Sequence, residues 1–155
     1  MIDFRICVED QIFIDMSYPH LVNTIFYISY QGKCFPDNIW TDFSYPLLEI
    51  WSSKLIEYKD VYNTNIELVF MDGPYAIQLF RNGSMNLHVN CVKNEIACFE
   101  FDCSYRDFLN AIFEALKALY QILLVHGLDK GKFVSVFNQT EGSIKNLKKL
   151  ITAYE

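Results

Sequence analysis

The side chains able to do chemistry are scattered along this chain, and their spacing limits what they can do together. The histidines are His20, His88 and His126, and the cysteines Cys7, Cys34, Cys91, Cys98 and Cys103 include no C-x-x-C pair. A structural zinc site gathers four thiolate or imidazole ligands, usually seeded by such closely spaced pairs. His88 and Cys91 stand three residues apart, which on a strand sends them to opposite faces, and Cys98 and Cys103 are separated by another odd interval. No metal and no cofactor is therefore expected. Glu100 and Asp102 share one face of a strand-like run. Paired carboxylates can serve acid–base chemistry, and a solvated strand face carries the same pattern. The stretch from Gly127 to Phe133 is spaced almost like a phosphate-binding loop. It is one residue short, lacks a Ser or Thr after Lys132, and follows a helix where a strand is required. A helix stop and a turn account for it. No G-x-S-x-G elbow is present. The expectation is a protein that is not an enzyme.

Two further groups point to binding. Phe35, Trp40, Phe43 and Tyr45 lie beside Asp37 and Asp42 in a loop-like stretch, and Met71-Asp72-Gly73-Pro74-Tyr75 is a turn flanked by large apolar residues. Such aromatics either cover an end of the core or, with the carboxylates, form a docking surface, since Trp and Tyr anchor interfaces. The candidate partner-binding residues are Asp37, Trp40, Asp42, Asp72, Tyr75, Glu100 and Asp102.

Charge narrows the class of partner. Residues 1–107 hold 15 acidic against 7 basic side chains, and residues 108–155 hold 4 against 6, for a net charge of −6. An acidic body repels phosphate backbones, which argues against direct nucleic-acid binding, and it suits a basic protein. No apolar run reaches the ~18 residues of a membrane span. Asp3, Arg5, Glu9 and Asp10 stand where an export signal needs an uncharged core. The expected setting is cytoplasmic, with reduced thiols.

The elements that must position these residues follow from periodicity. At 155 residues the chain has the length of one domain. Ile2, Phe4, Ile6 and Val8 alternate with polar neighbours as in a half-buried strand, Glu9-Asp10 is a turn signal toward a partner over 11–16, and 24–30 is a third strand. Residues 42–58 read as a helix, with Asp42 or Ser44 as cap, Pro46 in the first turn, and Leu48, Trp51, Leu55 and Tyr58 inward. Four strand-like runs between 65 and 103 are joined by short turns, which forces an antiparallel meander. Asn82-Gly83 fits a type I′ hairpin. Ser104-Tyr-Arg-Asp107 is a capping box opening a long helix over 105–126, and Gly127 ends it. A last helix spans about 141–153. The fold class is α+β: one domain over 1–155, with a curved antiparallel sheet packed against the 105–126 helix.

One resemblance adds to this reading. Trp40-Thr41-Asp42-Phe43, Leu47-Leu48-x-x-Trp51, the run from Val69 to Tyr75 and the Phe108–Leu123 helix together resemble small bacterial immunity proteins. These are encoded beside polymorphic or contact-dependent growth-inhibition toxins. The resemblance covers roughly residues 40–125 and is one of size, acidity and layout. It implies a protein-binding toxin inhibitor whose partner is a cognate toxin domain, basic in charge and in some cases a nuclease. A structural or adaptor domain that self-associates as a homodimer, and a small ligand-binding domain, are the alternatives.

Overall fold

The computed structural model describes residues 3–154. Its strands form two four-stranded antiparallel sheets rather than one. In the first, β1 (Phe4–Ile14) pairs with β2 (Val22–Tyr30), and the short strands β3 (Lys33–Phe35) and β4 (Thr41–Phe43) share the far edge of β2. Glu9-Asp10 does not turn the chain. The strand runs on, and a register shift between Glu9 and Phe13 absorbs the irregularity as a bulge. Ile2 lies outside the described residues. Phe4, Ile6 and Val8 are buried, while Arg5 and Glu9 are exposed, so the period-2 pattern holds where it can be read.

The second sheet is the meander, β5 (Thr64–Val69), β6 (Tyr75–Asn82), β7 (Asn86–Lys93) and β8 (Ile96–Ser104), in sequential order. The type I′ geometry sits at Asn94-Glu95, both with positive φ, and not at Asn82-Gly83. Asn82 pairs with Asn86, so that loop has three residues. Its Ser84 carbonyl accepts from Arg81, which reshapes the turn that Asn-Gly alone favours.

Three helices complete the fold. In α1 (Ser44–Glu57) neither Asp42 nor Ser44 supplies the side-chain cap. Phe43 is the cap residue, and the Ser44 hydroxyl instead donates to the Val22 carbonyl. Leu48, Trp51 and Leu55 are fully buried, and so is Ser52, whose hydroxyl bonds back to the Glu49 carbonyl. Helix α2 (Tyr105–Val125) opens on the capping box: the Asp107 N–H donates to Ser104 Oγ at 2.9 Å, and the Ser104 N–H to Asp107 Oδ2 at 3.3 Å. Gly127 takes φ +70°, and the Leu128 N–H closes on the Leu123 carbonyl. By length and composition α2 could cross a membrane, but Phe108, Leu109, Ile112, Leu116, Leu119 and Leu123 are all buried in the core. Helix α3 (Val134–Thr152) starts well before residue 141, after a short 3-10 turn at Gly131–Phe133. Buried Val136 and Thr140 extend its inward stripe toward the N-terminus.

One core joins all layers. Sheet one packs β1 on α2 and β2 on α1, and the sheets meet along an aromatic seam. Phe101 stacks on Tyr30 with centroids 4.1 Å apart, Phe4 tilts against Phe101 and Phe108, and Phe35 meets Phe70, Tyr75 and Phe99. Trp51 lies against Phe26 and Phe70 and donates its Nε1–H to the Val69 carbonyl, which ties α1 to β5. Each such side chain contributes about 1.5–3 kcal/mol by burial.

Candidate functional site

The outer face of the meander is built by strand alternation. Ile66, Leu68, Ile77, Leu79, Leu87, Val89, Phe101 and Cys103 turn inward, so their neighbours must face out. Register then sets the rows. Asn65, Phe80, His88 and Asp102 lie side by side across the four strands, and the next row is Glu67, Gln78, Asn90 and Glu100. The face thus carries three carboxylates, one imidazole and an exposed phenyl ring, Phe80.

His88 sits between two of the carboxylates. Its Nδ1 is 2.8 Å from Asp102 Oδ1, and its Nε2 is 3.7 Å from Glu100 Oε2. The hydrogen bond to Asp102 is the main cause that raises the His88 pKa above the ordinary histidine value, with both carboxylate charges adding to it. With each ring nitrogen turned toward an oxygen anion, the imidazole is suited to holding a proton. A general base would need one nitrogen free for substrate.

This juxtaposition depends on a bulge. The two-residue Asn94-Glu95 loop pairs Lys93 with Ile96 and Val92 with Ala97, a register that would set Val89 against Glu100. A register shift beyond Cys91 moves the pairing by one, so Val89 meets Phe101 and His88 meets Asp102. The signal is present in the sequence: Leu87, Val89 and Cys91 and then Phe99, Phe101 and Cys103 can share one inner face only if an extra residue intervenes. The sequence pairs Glu100 with Asp102 on one strand face, but His88 beside them and Glu67 at the far end of the same row are not legible from it.

The other candidates converge elsewhere, and mainly to hold the fold. Asp42 is fully buried. Its carboxylate accepts the Phe43 N–H at 2.8 Å, the Asp72 N–H at 3.2 Å and the Trp40 indole N–H at 3.4 Å. It stitches β4 to the turn between β5 and β6, and as a surface contact for a partner it is corrected. Burial is the main cause that raises its pKa, and the backbone bonds oppose that shift. Trp40 packs edge-on to Tyr75 at 4.9 Å, and both are half-buried, with Asp72 exposed beside them. Gly73, at φ +70°, leaves no room for a side chain: a Cβ there would meet the Tyr75 ring at 2.9 Å and Trp40 at 3.0 Å. Asp37 is exposed and accepts the Ile39 N–H, which shapes its own turn.

The thiols are all free. Burial pushes Cys91 and Cys103 up to about 12, which disfavours the thiolate a nucleophile or metal ligand needs. Among the described residues no group of three or more His, Cys, Asp or Glu is placed to hold a metal ion. Compared with protein-family models, with curated proteins and with solved structures, the chain matches none.

Proposed function

We propose that this chain is a protein-binding inhibitor without catalysis of its own, an immunity protein that neutralises a cognate bacterial toxin by docking the outer face of β5–β8 on it. The observation that carries this reading is the pair of adjacent rows that set Glu67 diagonally beside the exposed Phe80 on one flank and Glu100 and Asp102 two strands beyond it on the other. Carboxylates on an open face steer a basic partner, and a central aromatic ring supplies the desolvated anchor. A toxin domain that grips nucleic acid is basic for the same reason that this face is acidic. The assignment moves the docking surface away from the Trp40–Tyr75 cluster, because Asp42 there is internal.

The test is a binding measurement against the protein encoded by the gene adjacent to that of this chain. Glu100→Gln with Asp102→Asn is expected to slow association several-fold at low salt and to flatten its salt dependence. Phe80→Ala is expected to raise the dissociation rate by the equivalent of about 2 kcal/mol. A tight complex whose association ignores both salt and these carboxylates would place the interface on another face. Absence of any complex would remove the inhibitor reading.

A second reading has its own observation. Phe13, Met16 and Tyr18 are more than half exposed, and Phe13 and Tyr18 line a hollow with Leu21 and Phe43. Such a patch favours self-association of an adaptor domain. A mass that doubles with concentration, and reverts in Phe13→Ser, is its test.

A further inference from the structure

The free edge of β1 faces a groove that the described residues leave open. Among the described residues strand β1 pairs only with β2. The Gln31 N–H donates to the Asp3 carbonyl, which fixes the phase of the ladder: the backbone groups of Arg5, Cys7 and Glu9 point at β2, and those of Phe4, Ile6 and Val8 point away. The Phe26 N–H, opposite Val8, donates to Trp40 on the other side of β2, as this phase requires. Along the outer edge lies a groove of about 820 Å³ between residues 4–9 of β1 and the α2 stripe Asp107, Asn110, Ala111, Glu114 and Ala118. No described residue hydrogen-bonds to the outward groups of Phe4, Ile6 or Val8. An unpaired edge of this kind is a template for another strand.

We propose that this groove is a strand-addition site for an extended, basic segment of a partner protein. Six residues of β1 span about 20 Å, which matches a segment of five or six residues. Its main chain would pair with Phe4, Ile6 and Val8, and its side chains would alternate between solvent and α2. The α2 wall selects them: Asp107 and Glu114 lie two turns apart, with the small residues Ala111 and Ala118 leaving room between and beyond. Three carboxylates, Glu9, Asp107 and Glu114, line the groove against one guanidinium, Arg5; Glu9 also accepts from the Tyr27 hydroxyl, Asp107 caps α2, and Glu114 shares its charge with Lys117 at 3.6 Å on the neighbouring surface. The charge complement is a segment with lysine or arginine at alternate positions. The Asp10–His126 contact at 2.8 Å joins β1 to the C-terminal end of α2 and bounds the groove there. This surface is separate from the outer face of β5–β8 and does not rest on the toxin-inhibitor reading.

The experiment uses the full chain and an acetylated octapeptide of alternating lysine and valine. Binding is followed by isothermal titration and by amide hydrogen exchange. The expected result is saturable binding that slows exchange of the Phe4, Ile6 and Val8 amides at least tenfold, with Arg5 and Cys7 little changed. The same peptide N-methylated on its strand-pairing edge, the glutamate–valine peptide, and the chain carrying Glu114→Lys should each bind at least tenfold more weakly. Glu114 is exposed, so that variant keeps the fold. Failure to bind, or binding that leaves those three amides unprotected, would overturn the proposal. Protection of the same amides without peptide, with a doubled mass, would make the occupant a second copy of this chain and overturn the assignment to a basic partner segment.

Discussion

Replacing Arg81 tests the account of how the two halves of the fold are joined. The residue lies on β6 at an inward position and is fully buried. Its guanidinium makes no ion pair with any described carboxylate. It donates instead to the carbonyls of Tyr58 at 2.5 Å, Lys59 at 2.7 Å and Ser84 at 2.7 Å, and its Nη2 approaches the Tyr154 hydroxyl at 3.4 Å. Tyr58 and Lys59 follow the last turn of α1, where carbonyls lack helical partners and the dipole favours a cation. The guanidinium also stacks 3.8 Å from the Tyr105 ring centroid. Arg81→Met keeps most of the volume and removes three charge-assisted hydrogen bonds, each worth about 1.5–3 kcal/mol. The relief of no longer burying a charge offsets part of this, and a net loss of about 3–5 kcal/mol is expected, because the carbonyls are left unsatisfied. Arg81→Lys retains the charge but loses the planar fork, so it should fall between. Urea unfolding followed by circular dichroism reads the difference. Thermal midpoints should fall by about 6–20 °C for Met, at roughly 2–4 °C per kcal/mol for a domain of this size. An Arg81→Met unfolding free energy within about 1 kcal/mol of the parent, with an unchanged denaturant slope, would show that these bonds do not hold α1 to β6.

Asp42→Asn turns an amide nitrogen or a weaker acceptor toward N–H donors and should cost about 1–3 kcal/mol at neutral pH. Because burial raises the folded-state pKa of Asp42, the parent gains stability from this group as pH falls through that pKa toward the unfolded value. The parent's advantage over Asn should therefore widen in mild acid, as measured by urea midpoints at two pH values. For His88 the raised folded pKa means its contribution is fully present below the unfolded value, about 6.5, and is lost as pH rises through the folded one. A proton-detected titration should show Asp102→Asn lowering that pKa, and an unchanged titration would contradict the contact. Alkylation followed by mass spectrometry should modify exposed Cys98 first in the native state and leave Cys91 and Cys103 intact until unfolding.

Much of the local structure was legible because short-range rules settle it. The capping box at Ser104 and Asp107, the Gly127 stop and the four runs of the meander each depend on residues within a turn or a hairpin of one another. Period-2 alternation alone identified which side of β7 is wet. The Asn94-Glu95 turn and the bulge beyond Cys91 were encoded too, in the parity of the inward residues on either side, though that signal needs both strands read together. What the chain could not declare was the fate of polar residues that contacts distant in sequence bury or leave free. Asp42 reads as a surface carboxylate until the 72 turn folds over it, and the partners of Arg81, which are the end of α1 and Tyr154, lie far from it along the chain. The split into two sheets rests on the aromatic seam between residues some 70 apart, such as Tyr30 and Phe101. The open edge of β1 exists only because α2 packs on the face of the strand and leaves a groove along its edge. Alternation and capping are properties of neighbours along the chain, whereas burial and an unpaired edge are properties of what packs against them, and tertiary structure alone decides that.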